Sequence, residues 1–342
     1  MRLLSLGCWR LCPGLKGGYL ASIIDYTSNQ EARSALGKDS NFPQKAQFTA
    51  HNIRLDDGSL TKPDVGVSTG GNSTFLAAIR TLDLVYPGKR EHLRLADLGC
   101  LESGYTVEFA RLGFQSLGID VRPLNIEGCR YAQSQVDLPN LDFALDDGWN
   151  LDRYEVFDVK FCCGLFYHLD QPRRFLDMLS KATCRVLILD THFSEAKDFP
   201  SFIQPRNLHR FVTKFLPLRH NATTTHKLGY LMEHEGLQGR WFSEFLSNRT
   251  FRDRANRRLA SWDNRSSFWI QREYLIGAIK EAGFDLELEQ FDGLAPNIAQ
   301  AMTRGRYRIN GRGTFTGIKT ASAADHEPRY LGGSPLRSTP LS

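Results

Sequence analysis

A doubly wound α/β fold is the class that this sequence predicts, and three observations predict it. From Leu93 to Asp120 a short apolar run ends in Asp97-Leu98-Gly99. A stretch with apolar residues three and four apart follows through Val107, Phe109, Ala110 and Leu112, and a second apolar run closes on Gly118-Ile119-Asp120. This is a β-turn-α-β unit. The alternation then repeats, with apolar runs at 141–145, 156–163 and 185–189 separated by helical patterns, and strands alternating with helices give a parallel sheet through right-handed crossovers. Finally, 342 residues of which 41% are hydrophobic suffice for a sizeable core, as one large or two ordinary domains.

Composition narrows the function classes. The net charge of +5 comes without any block of five or six like charges, so the surplus reads as solvated surface rather than a nucleic-acid footprint. Of seven cysteines, Cys162-Cys163 fall inside an expected buried strand, and neither that pair nor Cys8 and Cys12 stands with histidines at zinc-ligand spacing. No metal is expected, and the thiols read as reduced, buried groups of a cytoplasmic protein. Met1 to Trp9 places a basic residue before a short apolar run, but the run is too short for a signal peptide and Arg10 breaks it. No stretch approaches the roughly 18 apolar residues of a membrane span, so the chain reads as soluble. No internal repeat is visible.

In chain order, residues up to about Asn41 are mixed in character and expected to be poorly ordered at the start. Phe48, His51, Ile53 and Leu55, followed by Asp56-Asp57-Gly58, predict a strand between Gln47 and Pro63 with a tight turn, because Asp-Gly supplies positive φ. Phe75, Leu76, Ile79, Leu82 and Leu84 give a helix from Thr74 to Val85, ended by Pro87-Gly88. After Asp120, Pro123 favours a first helical turn and the helix runs to Gln135. Leu141 to Leu145 is a strand delivering Asp146 and Asp147, and Val156 to Cys163 is the continuous apolar run of a strand buried on both faces. Gln171-Pro172 opens the next helix, and Arg185 to Leu189 is a fifth strand ending at Asp190-Thr191-His192. Between Phe193 and Asn264 regularity fails. The segment mixes Tyr230, Trp241, Phe242, Phe245, Phe251 and Trp262 with many arginines, among them Arg249, Arg252, Arg254, Arg257 and Arg258. An insertion over the sheet's carboxyl edge that shapes a pocket and a peripheral packing subdomain are equally open readings. Glu273 to Ala282 is a helix stopped by Gly283, and Phe284 to Phe291 and Thr314 to Lys319 supply strands six and seven. Beyond Thr320 the Ser, Pro, Gly and Ala content predicts a flexible tail.

The residue types of the first unit have physical reasons. Gly99 lets the chain turn at the strand's carboxyl end and lets a ligand approach, while the helix beginning near Ser103 points unpaired N–H groups into the same crevice. Asp120, read as an exposed strand tip, can accept two hydrogen bonds from a ribose diol. An adenosine-bearing ligand is therefore expected, against the alternative of a tight turn with no ligand. Gly99, Leu101 and Gly104 occupy the glycine positions of the dinucleotide fingerprint with the middle one lost, so the turn alone does not say which ligand.

Four motifs in order, Asp97-Leu98-Gly99-Cys100, Gly118-Ile119-Asp120, Asp146-Asp147 and Phe157-Asp158-Val159-Lys160-Phe161-Cys162-Cys163-Gly164-Leu165-Phe166-Tyr167-His168-Leu169, resemble the series of class I S-adenosylmethionine-dependent methyltransferases. The resemblance implies a Rossmann-like seven-stranded sheet with an N-terminal cap and an insertion after strand five, strand seven entering antiparallel. It implies S-adenosyl-L-methionine as cofactor. Asp97, Gly99 and Cys100 would lie beside its methionine part, Asp120 at the ribose and Asp147 near adenine with Asp146 in competition, Gly164 completing the set. Leu101 and Ser103 stand where such turns often carry glycine. The His-x-Ile-x-Leu-x-Asp-Gly run from His51 resembles a cap found in relatives, making His51 a candidate site neighbour, though a structural histidine is the leading reading. Gly236-Leu237-Gln238-Gly239-Arg240-Trp241 and Ser266-Ser267-Phe268-Trp269 resemble segments of the same enzymes more weakly. Domain bounds follow as 1–88 for the extension and cap, 89–192 and 265–320 for the two parts of the core, 193–264 for the insertion and 321–342 for the tail.

Methyl transfer needs alignment of an acceptor, exclusion of water and, for oxygen or nitrogen acceptors, a base. Histidine suits that role near neutrality. His168 after strand four and His192 after strand five both fall at strand ends facing the expected crevice and are the catalytic candidates. In relatives the histidine of Tyr-His-Leu often shapes the site rather than taking a proton, and both roles stay open. The core resembles enzymes acting on small molecules, sugars or secondary metabolites, and around Gly164 to Leu169 also those modifying the wobble uridine of transfer RNA. Scattered arginines without an RNA module put a small acceptor first. A dinucleotide-binding oxidoreductase and a non-catalytic binding protein of the same fold are the rivals.

Overall fold

The computed structural model describes residues 48–196, 228–244, 257–290 and 311–320. The expected N-terminal segment with Cys8 and Cys12, the residues Phe245, Arg249, Phe251, Arg252 and Arg254 of the insertion, and the tail beyond Thr320 lie outside them.

A helix α1 (Ser73–Val85), started by Asn72 whose side chain accepts from Thr74 N at 2.9 Å, precedes the sheet. The sheet then forms as β1 (Arg94–Leu98), α2 (Gly104–Arg111), β2 (Gln115–Asp120), α3 (Pro123–Ser134), β3 (Leu141–Leu145), β4 (Phe157–Cys163), α4 (Pro172–Lys181) and β5 (Thr183–His192). After a second sheet of β6 (Leu228–His234), β7 (Leu237–Ser243) and β8 (Ser266–Ile270) come α5 (Arg272–Glu281), β9 (Leu286–Gln290) and β10 (Arg312–Ile318). The main sheet is seven-stranded and Rossmann-like, ordered β3-β2-β1-β4-β5-β10-β9, with β1 to β5 parallel and β10 antiparallel to both of its neighbours. The antiparallel seventh strand, wedged between the fifth and the sixth, is as the resemblance implied.

Both faces of this sheet are covered, which explains its nearly unbroken apolar strands. Ala96 and Leu98 pack with Phe175, Leu176 and Leu179 of α4 and with Ile279 of α5. Leu95, which precedes Ala96 in the strand, packs instead with Phe75 and Leu82 of α1 and Phe109 of α2. Each such side chain, fully buried, contributes about 1.5–3 kcal/mol.

One residue breaks the pattern. Lys160 of β4 is fully buried, donates from Nζ to the carbonyl of Ala182, and is pushed by burial down to about 7, against a small opposing pull from Cys184. The unfolded chain therefore binds the proton more tightly than the folded one between pH 7 and the lysine's ordinary 10.5, so this residue's penalty is full below pH 7 and fades as pH rises. Lys160→Met is expected to stabilise the protein on the order of 3 kcal/mol at pH 6. The gain should shrink towards pH 10, as read from urea titrations across pH.

Three expectations need correction. Between Gln47 and Pro63 there is no regular strand among the described residues, only an isolated bridge from Arg54 to Leu60. The reason is that the amides of Thr49, Ala50 and His51 bond the Glu102 carboxylate, so no ladder forms. The fifth strand extends through Asp190, Thr191 and His192 rather than ending before them, because β10 pairs alongside it as far as His192 opposite Arg312. The region after Phe193 is not irregular throughout: β6 and β7 form a hairpin closed by Glu235 (φ 52°) and Gly236 (φ 76°), and β8 joins it. No described helix is long and apolar enough to cross a membrane.

Candidate functional site

The chain leaves β1 to one side for β2 and β3 and to the other for β4 and β5, so the sheet has a topological switch between β1 and β4. A cavity of about 750 Å³ lies there, over the carboxyl ends of β1 to β4. Of the residues singled out from the sequence, Gly99, Asp120, Asp146, Asp147, Gly164 and His168 line it, as does His51. Asp97, Cys100 and His192 do not. Asp97 is 1% exposed behind the turn, where it accepts from Thr106 Oγ1 at 2.7 Å. Burial pushes its carboxyl up to about 7 against the Thr106 bond. Cys100 is buried with Ile53, Val107 and Ile126, its Sγ 3.9 Å from that of Cys129. His192 stacks on Trp269, ring centroids 4.7 Å apart and planes within 8°, with Tyr167 edge-on at 4.5 Å.

The turn after β1 follows a glycine-type path with few glycines. Gly99 has φ 68°, and a Cβ there would lie 3.1 Å from Leu165 Cβ. Leu101 (φ 51°) and Ser103 (φ 71°) are left-handed although neither is glycine, which costs each roughly 1–2 kcal/mol. Tertiary bonds hold the loop in that shape: Leu101 N donates to Asp120 Oδ2 at 3.0 Å and Ser103 N to Cys100 O at 3.0 Å. Ser103 Oγ is buried without a hydrogen-bond partner among the described residues. Ser103→Gly removes both the strain and the unpaired hydroxyl, and is expected to raise stability by about 1 kcal/mol after glycine's own backbone entropy is counted. A higher melting temperature checks it.

Glu102, in the same turn, is fully buried. It accepts from Thr49 N (2.7 Å), Thr49 Oγ1 (2.6 Å), Ala50 N (3.0 Å), His51 N (3.2 Å) and Arg258 Nη1 (2.9 Å). Burial alone would raise its carboxyl, but the bonds from Thr49, Ala50 and His51 outweigh burial and hold it below the usual range. It thereby presses residues 49–51 onto the cavity rim. His51 Nδ1 accepts from Gly104 N at 3.0 Å, and burial pushes the imidazole down to about 4 against the pull of Glu102, leaving a neutral acceptor. A Cβ on Gly104 would lie 2.6 Å from His51 Cγ, so the glycine is what lets this histidine cap α2. His51 is thus both structural and at the cavity.

The expectation that Asp120 is an exposed tip is overturned. It is 6% exposed and braces three donors: Oδ2 accepts from Leu101 N, and Oδ1 from Arg122 N at 2.8 Å and Asn125 Nδ2 at 3.1 Å. Burial raises its carboxyl despite these bonds. With Oδ1 doubly occupied, only Oδ2 keeps a lone pair for a ligand. The two acids after β3 also differ. Asp146 has both oxygens engaged, Oδ1 accepting from Asp147 N (2.7 Å) and Asn150 Nδ2 (2.7 Å) and Oδ2 from Tyr154 Oη (2.9 Å). Among the described residues the Asp147 carboxylate accepts only from Trp149 N at 3.0 Å, through Oδ1, and burial raises it.

At the other end of the cavity, His168 Nδ1 lies 2.6 Å from Glu244 Oε1, and Ser267 Oγ donates to the same oxygen at 2.9 Å. Burial opposes ionisation of Glu244, but its charge contact and hydrogen bond with His168 prevail and hold its carboxyl below the ordinary range. Segment 257–264 crosses the cavity and is tied to three strand ends. Arg258 bonds Glu102 after β1, Arg122 after β2 donates to Ala260 O (2.5 Å) and lies over Trp262, and Ser261 and Asn264 donate to His168 O after β4. This part of the insertion does lie over the sheet's carboxyl edge. Arg312, first residue of β10, pairs through Nε with the fully buried Asp190 at 2.5 Å. Glu102, Glu244 and Arg312 escaped the sequence reading. Glu244 is 76 residues from His168 and Arg312 122 from Asp190, so no local spacing signals either pair.

Residues 96–185 match the family model described as a methyltransferase domain. The solved N-terminal domain of EvdMO1, in the presence of SAH and D-fucose, is similar at 16% identity and a TM-score of 0.51, over 86% of this chain and 98% of that one. Magnesium protoporphyrin IX methyltransferase (ChlM) from Synechocystis PCC 6803 with bound SAH is similar at 12% identity and a TM-score of 0.42, over 76% and 91%. CalS10, an amino pentose methyltransferase from Micromonospora echinaspora, is similar at 15% identity and a TM-score of 0.41, over 75% and 93%. No curated protein matches this chain. Residues 96–185 thus match a methyltransferase domain, and the seven-stranded sheet shares the fold of the EvdMO1 N-terminal domain.

Proposed function

We propose that this chain transfers the methyl group of S-adenosylmethionine to an oxygen or nitrogen of a small-molecule acceptor, a sugar or a secondary metabolite. The observation that carries this reading is the composition of one cavity. Acids suited to an adenosine lie at its β2 and β3 end, and a histidine backed by a carboxylate lies at its β4 end. Its size suits a cofactor and a small acceptor together. The residues fit the nucleoside: Asp120 Oδ2 keeps one lone pair for a ribose hydroxyl, and Asp147 Oδ2 has no hydrogen-bond partner among the described residues, which favours it for the adenine amino group over Asp146, both of whose oxygens are engaged.

When bound, the cofactor supplies an electrophilic methyl group. The chain supplies alignment, dryness and a base. Gly99 and the turn behind it keep the backbone low enough for the ligand, and segment 257–264 excludes water above it. With Nδ1 engaged by Glu244, His168 presents Nε2 as its other ring nitrogen, to take the acceptor's proton as the new bond forms. His192, stacked on Trp269 outside the cavity, is better suited to supporting Tyr167 than to proton transfer.

Incubation with tritiated S-adenosylmethionine and two acceptor sets, hydroxylated or amino sugars and metabolites on one side and unmodified transfer RNA on the other, tests the acceptor class. Label in the small-molecule set is expected. Label confined to transfer RNA would overturn the acceptor reading.

A further inference from the structure

The cavity holds a second recognition element beside the histidine, at the floor formed where β4 ends. A Cβ built on Gly164 (φ 86°) would lie 3.6 Å from Arg312 Nη2 and 3.7 Å from Tyr167 Oη, so two polar atoms converge on the space that this glycine leaves open. Both residues line the cavity, and Arg312 Cζ lies 5.4 Å from the centre of the Tyr167 ring. Tyr167 Oη and Arg312 Nη1 have no hydrogen-bond partner among the described residues, and Nη2 has only a long contact to Cys163 Sγ at 3.6 Å.

The guanidinium is held rigidly from behind. Its Nε is fixed by Asp190, which also accepts from Thr314 Oγ1 at 3.0 Å and Thr74 Oγ1 at 3.4 Å, so Nη1 and Nη2 form the outward fork. Tyr167 is fixed by its own backbone, whose carbonyl accepts from Trp269 Nε1 at 2.9 Å, and by the edge-on ring of His192. Fork and phenol hydroxyl together offer donors and, apart from the weak phenol lone pairs, no acceptor. The group that satisfies them must be rich in acceptors and poor in donors, which describes a carboxylate better than a hydroxyl or an amine.

We infer that Arg312 and Tyr167 form a subsite for a carboxylate carried by the methyl acceptor, so that the substrate is a hydroxy or amino acid rather than a neutral sugar. The inference rests on the methyl-transfer reading above. A carboxylate could also come from the cofactor's methionine. The acceptor is favoured because the subsite lies at the ends of β4 and β10, beside His168, across the cavity from Asp120 and Asp147.

Calorimetry on the SAH-loaded protein, with glucuronate, salicylate and mandelate each compared with its primary amide, tests this. At least one acid is expected to bind tenfold or more tightly than its amide. That preference should vanish in Arg312→Gln and fall severalfold in Tyr167→Phe, while the affinity for SAH stays within about twofold. Tyr167→Phe keeps the ring and the fold, so it remains informative if Arg312→Gln, which strands Asp190, does not fold. Wild-type protein that binds SAH but favours no acid over its amide would overturn the subsite while leaving the methyl-transfer reading intact. A tenfold loss of SAH affinity in Tyr167→Phe or Arg312→Gln would overturn it in favour of the cofactor's carboxylate. Failure of wild type to bind SAH would remove both readings.

Discussion

Asp120→Ala is expected to weaken SAH binding more than tenfold and, at the same time, to lower the stability of the protein by about 3 kcal/mol. The first effect is loss of a ribose acceptor. The second follows from the three donors that Asp120 braces, Leu101 N, Arg122 N and Asn125 Nδ2, each of which costs roughly 1–3 kcal/mol when left unpaired in a buried place. Relief from burying a carboxyl that burial already disfavours offsets part of this sum. The Leu101 bond adds a structural consequence, since it pins the left-handed turn that shapes the cavity floor. Melting temperature and calorimetric affinity measured on one preparation check both halves. Unchanged affinity would remove Asp120 from the site, and an unchanged melting temperature would show that the turn does not depend on it.

His168→Ala is expected to lower turnover on the true acceptor about a hundredfold or more while leaving SAH affinity within a few-fold. The ring is oriented by a carboxylate it cannot do without. Glu244 bonds His168 Nδ1 and is itself steadied by Ser267, while Ser261 and Asn264 hold the His168 carbonyl, so the imidazole is fixed at both ends of its residue. Glu244→Gln keeps the volume and loses the charge that stabilises the imidazolium formed on proton uptake. It should therefore lower kcat well before it raises KM. A His168→Ala rate that falls less than about tenfold with the pH profile preserved would assign the histidine to orienting the acceptor.

These effects draw on contacts that differ widely in how far the sequence reveals them. The five parallel strands are legible because each reads as an apolar run, four of them closing on Asp97, Asp120, Asp146 or Asp190 and β4 on Cys163-Gly164. The hairpin of β6 and β7 was not legible. Its turn uses Glu235-Gly236 where Asn-Gly would advertise positive φ, and Tyr230, Leu231 and Met232 are all exposed, so β6 shows no period of two. At the site, Asp120 and His168 were found because they end strands. Glu102 and Glu244 were not, since Glu102 accepts from residues some fifty positions away and Glu244 reaches His168 from the second sheet. A strand-end acid was also read as exposed, when the loops around it bury it. Sequence periodicity reports which face an element buries and says nothing of which loop folds over its end.

The central claim is that the cavity between β1 and β4 holds an S-adenosyl ligand through Asp120 and Asp147. Isothermal titration of the wild-type protein and of Asp147→Ala with SAH, and of the wild type with NADH, tests it most directly. The account predicts one SAH site per chain, an affinity reduced tenfold or more by Asp147→Ala with the melting temperature nearly unchanged, and no heat with NADH. Binding of NADH in preference to SAH, or SAH binding indifferent to Asp147, would contradict it.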